Sequence, residues 1–262
     1  MLTLLWLLIT ACFLPDGHAF LPTQGGSPRM LGVIRTMPST TSFTTSSTRL
    51  YGDLAAARRY VGAGMQSFRE GRVQESIDYF DKAEAAEPQY DPFLWQRGLS
   101  YFYANDFDKA SKQFRRDVKV NPLDVEEIVW DIASQLRLDA DATFPLATAL
   151  KLPANQSDRR PIMAIVYKLF QGQADEQALA QAGHRLGRPA DEFYSRLYLG
   201  LFSETARRDA TKAEYYLRQA VHSEYAQTTG QRDYMTDVAR VSSLFLKRDA
   251  LCDVLLSFFL AY

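Results

Sequence analysis

Two segments of this chain, residues 60–88 and residues 94–122, align at a constant offset of 34 residues. They read YVGAGMQSFREGRVQESIDYFDKAEAAEP and LWQRGLSYFYANDFDKASKQFRRDVKVNP. Glycine, phenylalanine and proline recur at this offset as Gly64/Gly98, Phe68/Phe102, Phe80/Phe114 and Pro88/Pro122. A fixed period of this length indicates a repeated supersecondary unit.

The recurring residues explain how each unit packs. The two glycines have no Cβ, so two helices can approach closely at those positions. Phe80 and Phe114 lie at helical spacing from small residues and give each second helix one buried face. Short turns at 70–72 and 104–106 separate the helices, and the prolines follow the second helix. Because one pair cannot bury its apolar face, the units must stack.

This arrangement resembles the tetratricopeptide repeat (TPR) over residues 57–122, although Asp117 stands where the first unit has the usual small residue, Ala83. Weaker matches continue downstream. They predict a first helix at 123–138, a degenerate partner around 142–152, helical pairs at 161–184 and 193–220, and a capping helix at 232–246.

The resemblance implies an all-α fold, a TPR-type helical-repeat solenoid of about four to five helix pairs with a capping helix, preceded by a disordered presequence. The predicted domain organisation has five parts. They are a signal peptide (1–19), a transit-peptide-like Ser/Thr/Arg segment (20–52), two regular repeats (53–122), degenerate repeats with the cap (123–246) and an apolar tail (247–262). The tail is either a final helix on the solenoid end or the product of a gene model that reads past an exon.

Residues 94–103, 113–118 with 121–122, and 193–200 are similar to the corresponding stretches of NlpI-like TPR proteins. These comprise bacterial outer-membrane lipoproteins and relatives in algae and plants. The bacterial members act as adaptors that dock proteases and cell-wall hydrolases on a helical scaffold. The resemblance therefore implies an adaptor role and no particular client.

The first fifty residues have the composition of targeting segments. The apolar run 2–14 is too short to span a bilayer and is typical of a signal peptide that ends at Ala19. The next stretch contains three arginines, many Ser and Thr, and no acid, as transit peptides do. A signal peptide followed by a transit-peptide-like segment, with Phe20 directly after the cleavage position, resembles the bipartite presequence of plastid proteins in algae with secondary plastids.

Two alternatives to a plastid presequence remain open. Residues 20–52 could be a disordered linker behind a secretory signal, because little in them can bury apolar surface. Residues 9–12 also resemble a bacterial lipobox in which Cys12 is lipidated. The predicted location is the plastid, reached through the secretory route, with a secreted or envelope-anchored protein as the alternative.

Composition excludes several classes of function. A net charge of −1 argues against a nucleic-acid partner, and two Cys and three His argue against a disulfide framework and a metal site. Motifs for phosphate, dinucleotide, zinc-protease and nucleophile-elbow sites are missing. We therefore expect neither an enzyme nor a cofactor. The enzyme alternative would use the carboxylates of Asp124 and Glu127, on which no second element converges.

The candidate site is the concave face, which the first helix of each pair lines in a TPR. Matching repeat positions predict a groove that is aromatic and apolar. Its residues are Val61, Met65, Phe68, Arg69, Trp95, Leu99, Phe102, Tyr103, Val129 and Leu136. Chaperone-docking TPRs have Lys and Asn where Val61 and Met65 stand, so carboxylate clamping is not expected.

An apolar groove favours a helix or an extended peptide of a protein partner. The alternative is that these aromatic residues are core and pack against the next repeat or the chain's own terminus.

We expect no transmembrane helix. A homodimer that forms through a solenoid end or through the tail is a further hypothesis. Asn155-Gln156-Ser157 also matches the acceptor pattern for glycosylation.

Overall fold

A computed structural model describes the backbone of residues 47–260 and the side chains of residues 54–247. The predicted signal peptide and most of the predicted transit segment lie outside the described residues. Within 47–260 the chain consists of helices and connecting loops and contains no strand, which confirms the all-α prediction.

The helices succeed one another along the chain with short connections, apart from one long linker. In chain order they are α1 (Ser47–Arg69), α2 (Val73–Ala86), a 3₁₀ helix (Pro88–Phe93), α3 (Trp95–Tyr103), α4 (Phe107–Val120), α5 (Val125–Leu138), α6 (Pro161–Phe170), α7 (Glu176–Arg185), α8 (Pro189–Thr205), α9 (Ala210–Val221), α10 (Glu224–Gln227), a second 3₁₀ helix (Thr229–Arg232) and α11 (Tyr234–Leu260).

The two predicted regular units form the helix pairs α1–α2 and α3–α4, and each pair packs against itself along its length. The turns between the helices contain left-handed residues, Gly71 at φ 80° and Asn105 at φ 60°. These are the residue types that adopt this conformation at low cost. Asp106 then caps α4 by accepting a hydrogen bond from the Lys109 amide at 3.3 Å.

Close packing at the two glycines is confirmed. A Cβ placed on Gly64 would lie 3.0 Å from the ring of Phe80, and one placed on Gly98 would lie 2.7 Å from the ring of Phe114. Both distances are shorter than normal carbon–carbon contacts. Each phenylalanine ring therefore lies directly against the backbone of its partner helix, and glycine is required there.

Hydroxyl groups join the first pair to the second. The Ser76 hydroxyl donates to the Gly64 carbonyl oxygen at 2.8 Å, and it lies 2.9 Å from the hydroxyl oxygen of Ser100. In addition, α1 contacts α3 and α3 contacts α5, so the first helices of successive units lie side by side.

The third unit differs from its prediction, because no helix forms around residues 142–152. The chain from 139 to 160 is a linker of turns and extended segments. Pro145 and Pro153 disfavour a continuous helix there. Side chains fix the linker instead: the Phe144 ring packs on Phe202 at 5.1 Å, and the amide of Leu152 donates to the Tyr167 hydroxyl at 3.1 Å.

The remaining predicted pairs are present as α6–α7 and α8–α9. The second of these repeats the glycine contact with an aliphatic partner, because a Cβ on Gly200 would lie 2.7 Å from Leu217. Helix α8 packs against α5, α6, α7 and α9 and so connects the two halves of the chain.

The predicted capping helix corresponds to the first part of α11. It lies against α9, the second helix of the last predicted pair, and also against α1 and α3. The helix continues to Leu260, so the backbone of the predicted tail is helical as far as that residue.

Candidate protein-binding groove

The ten predicted groove residues lie on three neighbouring helices. Four belong to α1, four to α3 and two to α5. Because α1 contacts α3 and α3 contacts α5, the three helices present one continuous face. The ten residues therefore lie on three adjacent helices, and their forming a binding groove stays a prediction.

The chain's own last helix covers much of this face. The ring of Tyr234 at the start of α11 lies 5.6 Å from the ring of Phe68 and 5.6 Å from that of Trp95. Further along α11, the Phe245 ring lies 5.6 Å from Tyr103. These contacts run along α3 from its first residue to its last, so α11 follows that helix along its length.

Polar contacts join the same surfaces. The Arg69 Nε donates to an Asp237 carboxylate oxygen at 2.7 Å, and Arg240 contacts the other oxygen of that carboxylate at 2.8 Å. The hydroxyls of Tyr103 and Ser242 are hydrogen-bonded to each other. Burial raises the pKa of the Tyr103 phenol well above its ordinary value, which keeps this hydroxyl neutral.

Burial divides the predicted groove into two sets. Six residues belong to the core: Phe68, Leu99, Phe102, Tyr103, Val129 and Leu136. Val61, Met65 and Trp95 are half-buried and Arg69 is exposed. The six fit the alternative of core packing against neighbouring repeats and the chain's own terminus. The other four, the groove rim, are accessible to another molecule, and their binding of a partner stays a prediction.

The start of α11 is held by a group that sequence reasoning missed. Asp233 accepts hydrogen bonds from the hydroxyl of Tyr194 at 2.7 Å, the hydroxyl of Tyr225 at 2.9 Å and the amide of Met235 at 3.0 Å. An Asp just before an apolar helical segment is a cap signal that could have been found in the sequence. The two tyrosines could not, because they come from α8 and α10.

A second, partly buried network joins α5, α6 and α8. One Glu126 carboxylate oxygen accepts a hydrogen bond from Arg160 at 2.8 Å, and the other accepts one from the Tyr198 hydroxyl at 2.8 Å. Burial raises the pKa of Glu126, and Arg160 opposes that shift. Both oxygens are occupied within the protein, which indicates a structural role.

The carboxylates of the enzyme alternative lie at the junction of α4 and α5. Asp124 caps α5 by accepting a hydrogen bond from the Glu126 amide at 3.0 Å, and its side chain lies next to that of Glu127. The structure adds Asp117 from α4, so a second element does approach this pair. Burial, and then the charge of Asp124, raise the pKa of Asp117 to about 7.

This acidic cluster has the properties of a structural feature. Asp117 and Glu127 are buried, at 4% and 5% exposure, so a substrate has little access to them. Burial raises the pKa of Glu127 well above its ordinary value. One Glu127 oxygen has no hydrogen-bond partner among the described residues. The cluster can retain a proton near neutral pH, at a cost in stability when that proton is lost.

No set of His, Cys, Asp and Glu side chains among the described residues is arranged to hold a metal ion. No helix in the same range has the length and apolar character needed to cross a membrane.

No protein-family model matches the chain, and no curated protein matches it.

Proposed function

We propose that this protein is a non-enzymatic scaffold of the TPR type that binds a protein partner and assembles or stabilises a complex. The observation that carries the proposal is α11 itself. A helix lies along the first-helix face and is held there by aromatic rings, a buried hydroxyl pair and an ion pair. A surface with these properties is suited to recognising helices.

A TPR-type solenoid is supported by the recurrence of Gly64 and Gly98 with their phenylalanine partners. Each glycine admits an aromatic ring against the backbone, and the first helices of successive units lie side by side. The resemblance to NlpI-like adaptors is consistent with this architecture. Stacked helical pairs present extended surfaces that serve for binding.

The proposed contact surface is the groove rim next to α11. Val61, Met65 and Trp95 offer partly exposed apolar area, and Arg69 adds a cation at the edge. An amphipathic helix or an extended peptide could cover the apolar residues and place an acidic side chain near Arg69.

The proposed site of action is a plastid, on the basis of the targeting-type composition of residues 1–52.

The test compares two single substitutions in the full chain carrying an affinity tag. Met65→Lys places a charge on the groove rim, whereas Tyr215→Lys places one on an exposed aromatic residue of α9 (60% exposed). We expect Met65→Lys to reduce co-purification of the major partner at least about tenfold, the effect of about 1.4 kcal/mol in binding. Tyr215→Lys should leave it unchanged.

Circular dichroism must show the same helicity and melting temperature for both variants. Equal recovery of the partner by wild type and Met65→Lys would remove the groove rim from the proposal.

Mass spectrometry of the N-terminal peptide in the same preparation tests the proposed location in a plastid. A start near Leu50 is expected for a plastid protein, whereas a start at Phe20 or at a modified Cys12 contradicts it.

A further inference from the structure

The linker 139–160 carries a sequence triplet that the scaffold function does not use. The chain has three asparagines, at 105, 121 and 155, and only Asn155 is followed two positions later by a hydroxyl residue, Ser157, with a residue other than proline between them. This is the acceptor pattern for N-linked glycosylation. The pattern is short, so the structural setting has to decide whether it can be used.

The setting is an exposed turn. Asn155, Gln156 and Ser157 are all exposed to solvent. The turn is closed by a hydrogen bond from the Gln156 amide to the Pro153 carbonyl oxygen at 3.1 Å, and Asn155 has a left-handed backbone with φ 61°. Asparagine tolerates this conformation in tight turns. The acceptor amide therefore belongs to a protruding loop and not to a helix.

The segments on both sides of the turn are anchored. On one side, the Leu150 carbonyl accepts a hydrogen bond from the Gln171 side chain at 2.8 Å, and the Leu152 amide donates to Tyr167. On the other side, the Asp158 carboxylate accepts hydrogen bonds from the backbone amide of Arg160 at 2.7 Å and from the Arg160 guanidinium at 2.9 Å. A bulky group on Asn155 can point into solvent without disturbing these contacts.

We infer that Asn155 is a glycosylation site and that the linker presents a glycan in the place where a regular repeat would have its second helix. The inference rests on the proposed entry into the secretory pathway through residues 1–19. The co-reactant is an oligosaccharide linked to a lipid through pyrophosphate. Nδ2 of Asn155 attacks the first sugar carbon and loses a proton, the new N–C bond forms, and the C–O bond to pyrophosphate breaks. The lipid pyrophosphate leaves with that electron pair.

The experiment is translation of the full chain in the presence of microsomes that carry out glycosylation. We expect a single mobility shift in the protease-protected fraction, and its removal by peptide-N-glycosidase. Mass spectrometry should then find aspartate at position 155. Asn155→Gln and Ser157→Ala should abolish the shift, whereas Ser157→Thr should keep it because the hydroxyl is retained.

Asn105→Gln is the matched control. Asn105 is also exposed and left-handed, but Phe107 occupies the hydroxyl position. This substitution should leave the shift unchanged.

Two failures can be distinguished. A chain that is translocated and cleaved after Ala19 but unshifted overturns the glycosylation site and leaves the proposed route intact. A chain that stays outside the microsomes overturns both the secretory route and the glycosylation site for the native protein. In that case, a chain in which an established signal peptide replaces residues 1–19 would show whether the loop is a competent acceptor.

Discussion

The α3–α4 pair and the neighbouring unit, α5 with the linker 139–160, begin with similar first helices but end differently. In the first, Gly98 allows the ring of Phe114 to reach the helix backbone. The positions 34 residues later hold Ile132, which is completely buried, and Thr148. This unit lacks the paired glycine and phenylalanine, and Pro145 and Pro153 disfavour a second helix, so a linker takes its place.

The unit without the second helix uses polar contacts in its place. The buried carboxylate of Asp131 accepts hydrogen bonds from Ser111 at 2.6 Å, Arg115 at 3.0 Å and Gln135 at 2.8 Å. Gln135 in turn accepts one from the Thr148 hydroxyl at 3.0 Å. These bonds connect α4, α5 and the linker, and they offset the cost of burying the Asp131 charge.

The largest expected effect comes from removing the ring of the regular unit. Phe114→Ala should lower the free energy of unfolding by about 4 kcal/mol, because Phe114 is buried against Gly98 and Trp130 and leaves a cavity. The matched variant in the linker, Phe144→Ala, should cost only about 1–2 kcal/mol, because that ring is half-buried. Urea unfolding followed by circular dichroism measures both. Equal losses would show that the linker is packed as tightly as the helix.

A smaller effect is expected at Asp117, where the second unit departs from the small residue of the first. Its pKa of about 7 lies above the ordinary value of 3.8, so the folded chain holds the proton more tightly than the unfolded chain. The stabilisation is complete below about pH 4 and is lost as pH rises to about 7. Asp117→Ala should therefore raise the free energy of unfolding at pH 8 by an amount on the order of 2 kcal/mol.

The same substitution should have a smaller effect at pH 5, because Asp117 is protonated in the folded chain at that pH and only part of the stabilisation has been lost. Asp108→Ala is the control on the same helix, since Asp108 is exposed and paired with Lys112, and it should change stability by less than about 1 kcal/mol at either pH. Urea midpoints at the two pH values give the comparison. A pH-independent effect of Asp117→Ala would contradict the assignment of a buried proton.

The smallest effect concerns the glycine itself. Gly98→Ala should cost about 1–2 kcal/mol, because the strain of a Cβ at 2.7 Å from Phe114 exceeds the gain in helix propensity. Gly62→Ala, on α1 with open space around its Cβ, should instead stabilise by up to about 1 kcal/mol. Thermal melts of the two variants against wild type should move in opposite directions.

Sequence periodicity predicted the regular helix pairs and the inward-facing residues, but it did not identify what covers them. Phe102 and Tyr103 were predicted to line a groove, and both are buried within the chain, Tyr103 against Phe245 of α11. The helical period specifies a direction from the helix axis and carries no information on the distant segment that lies there. The contact between Tyr103 and Ser242 spans 139 residues of sequence, which no local pattern reports.

By itself, the sequence determined the local structure of this protein: the all-helical class, the short turns at Gly71 and Asn105, and the close approach at Gly64 and Gly98. These features depend on backbone conformation and side-chain size within one helix pair, so a few neighbouring residues encode them. The tertiary structure decided where α11 lies, which predicted groove residues stay accessible and how strongly Asp117 holds its proton. Those properties depend on burial and on charges that only the folded chain brings together.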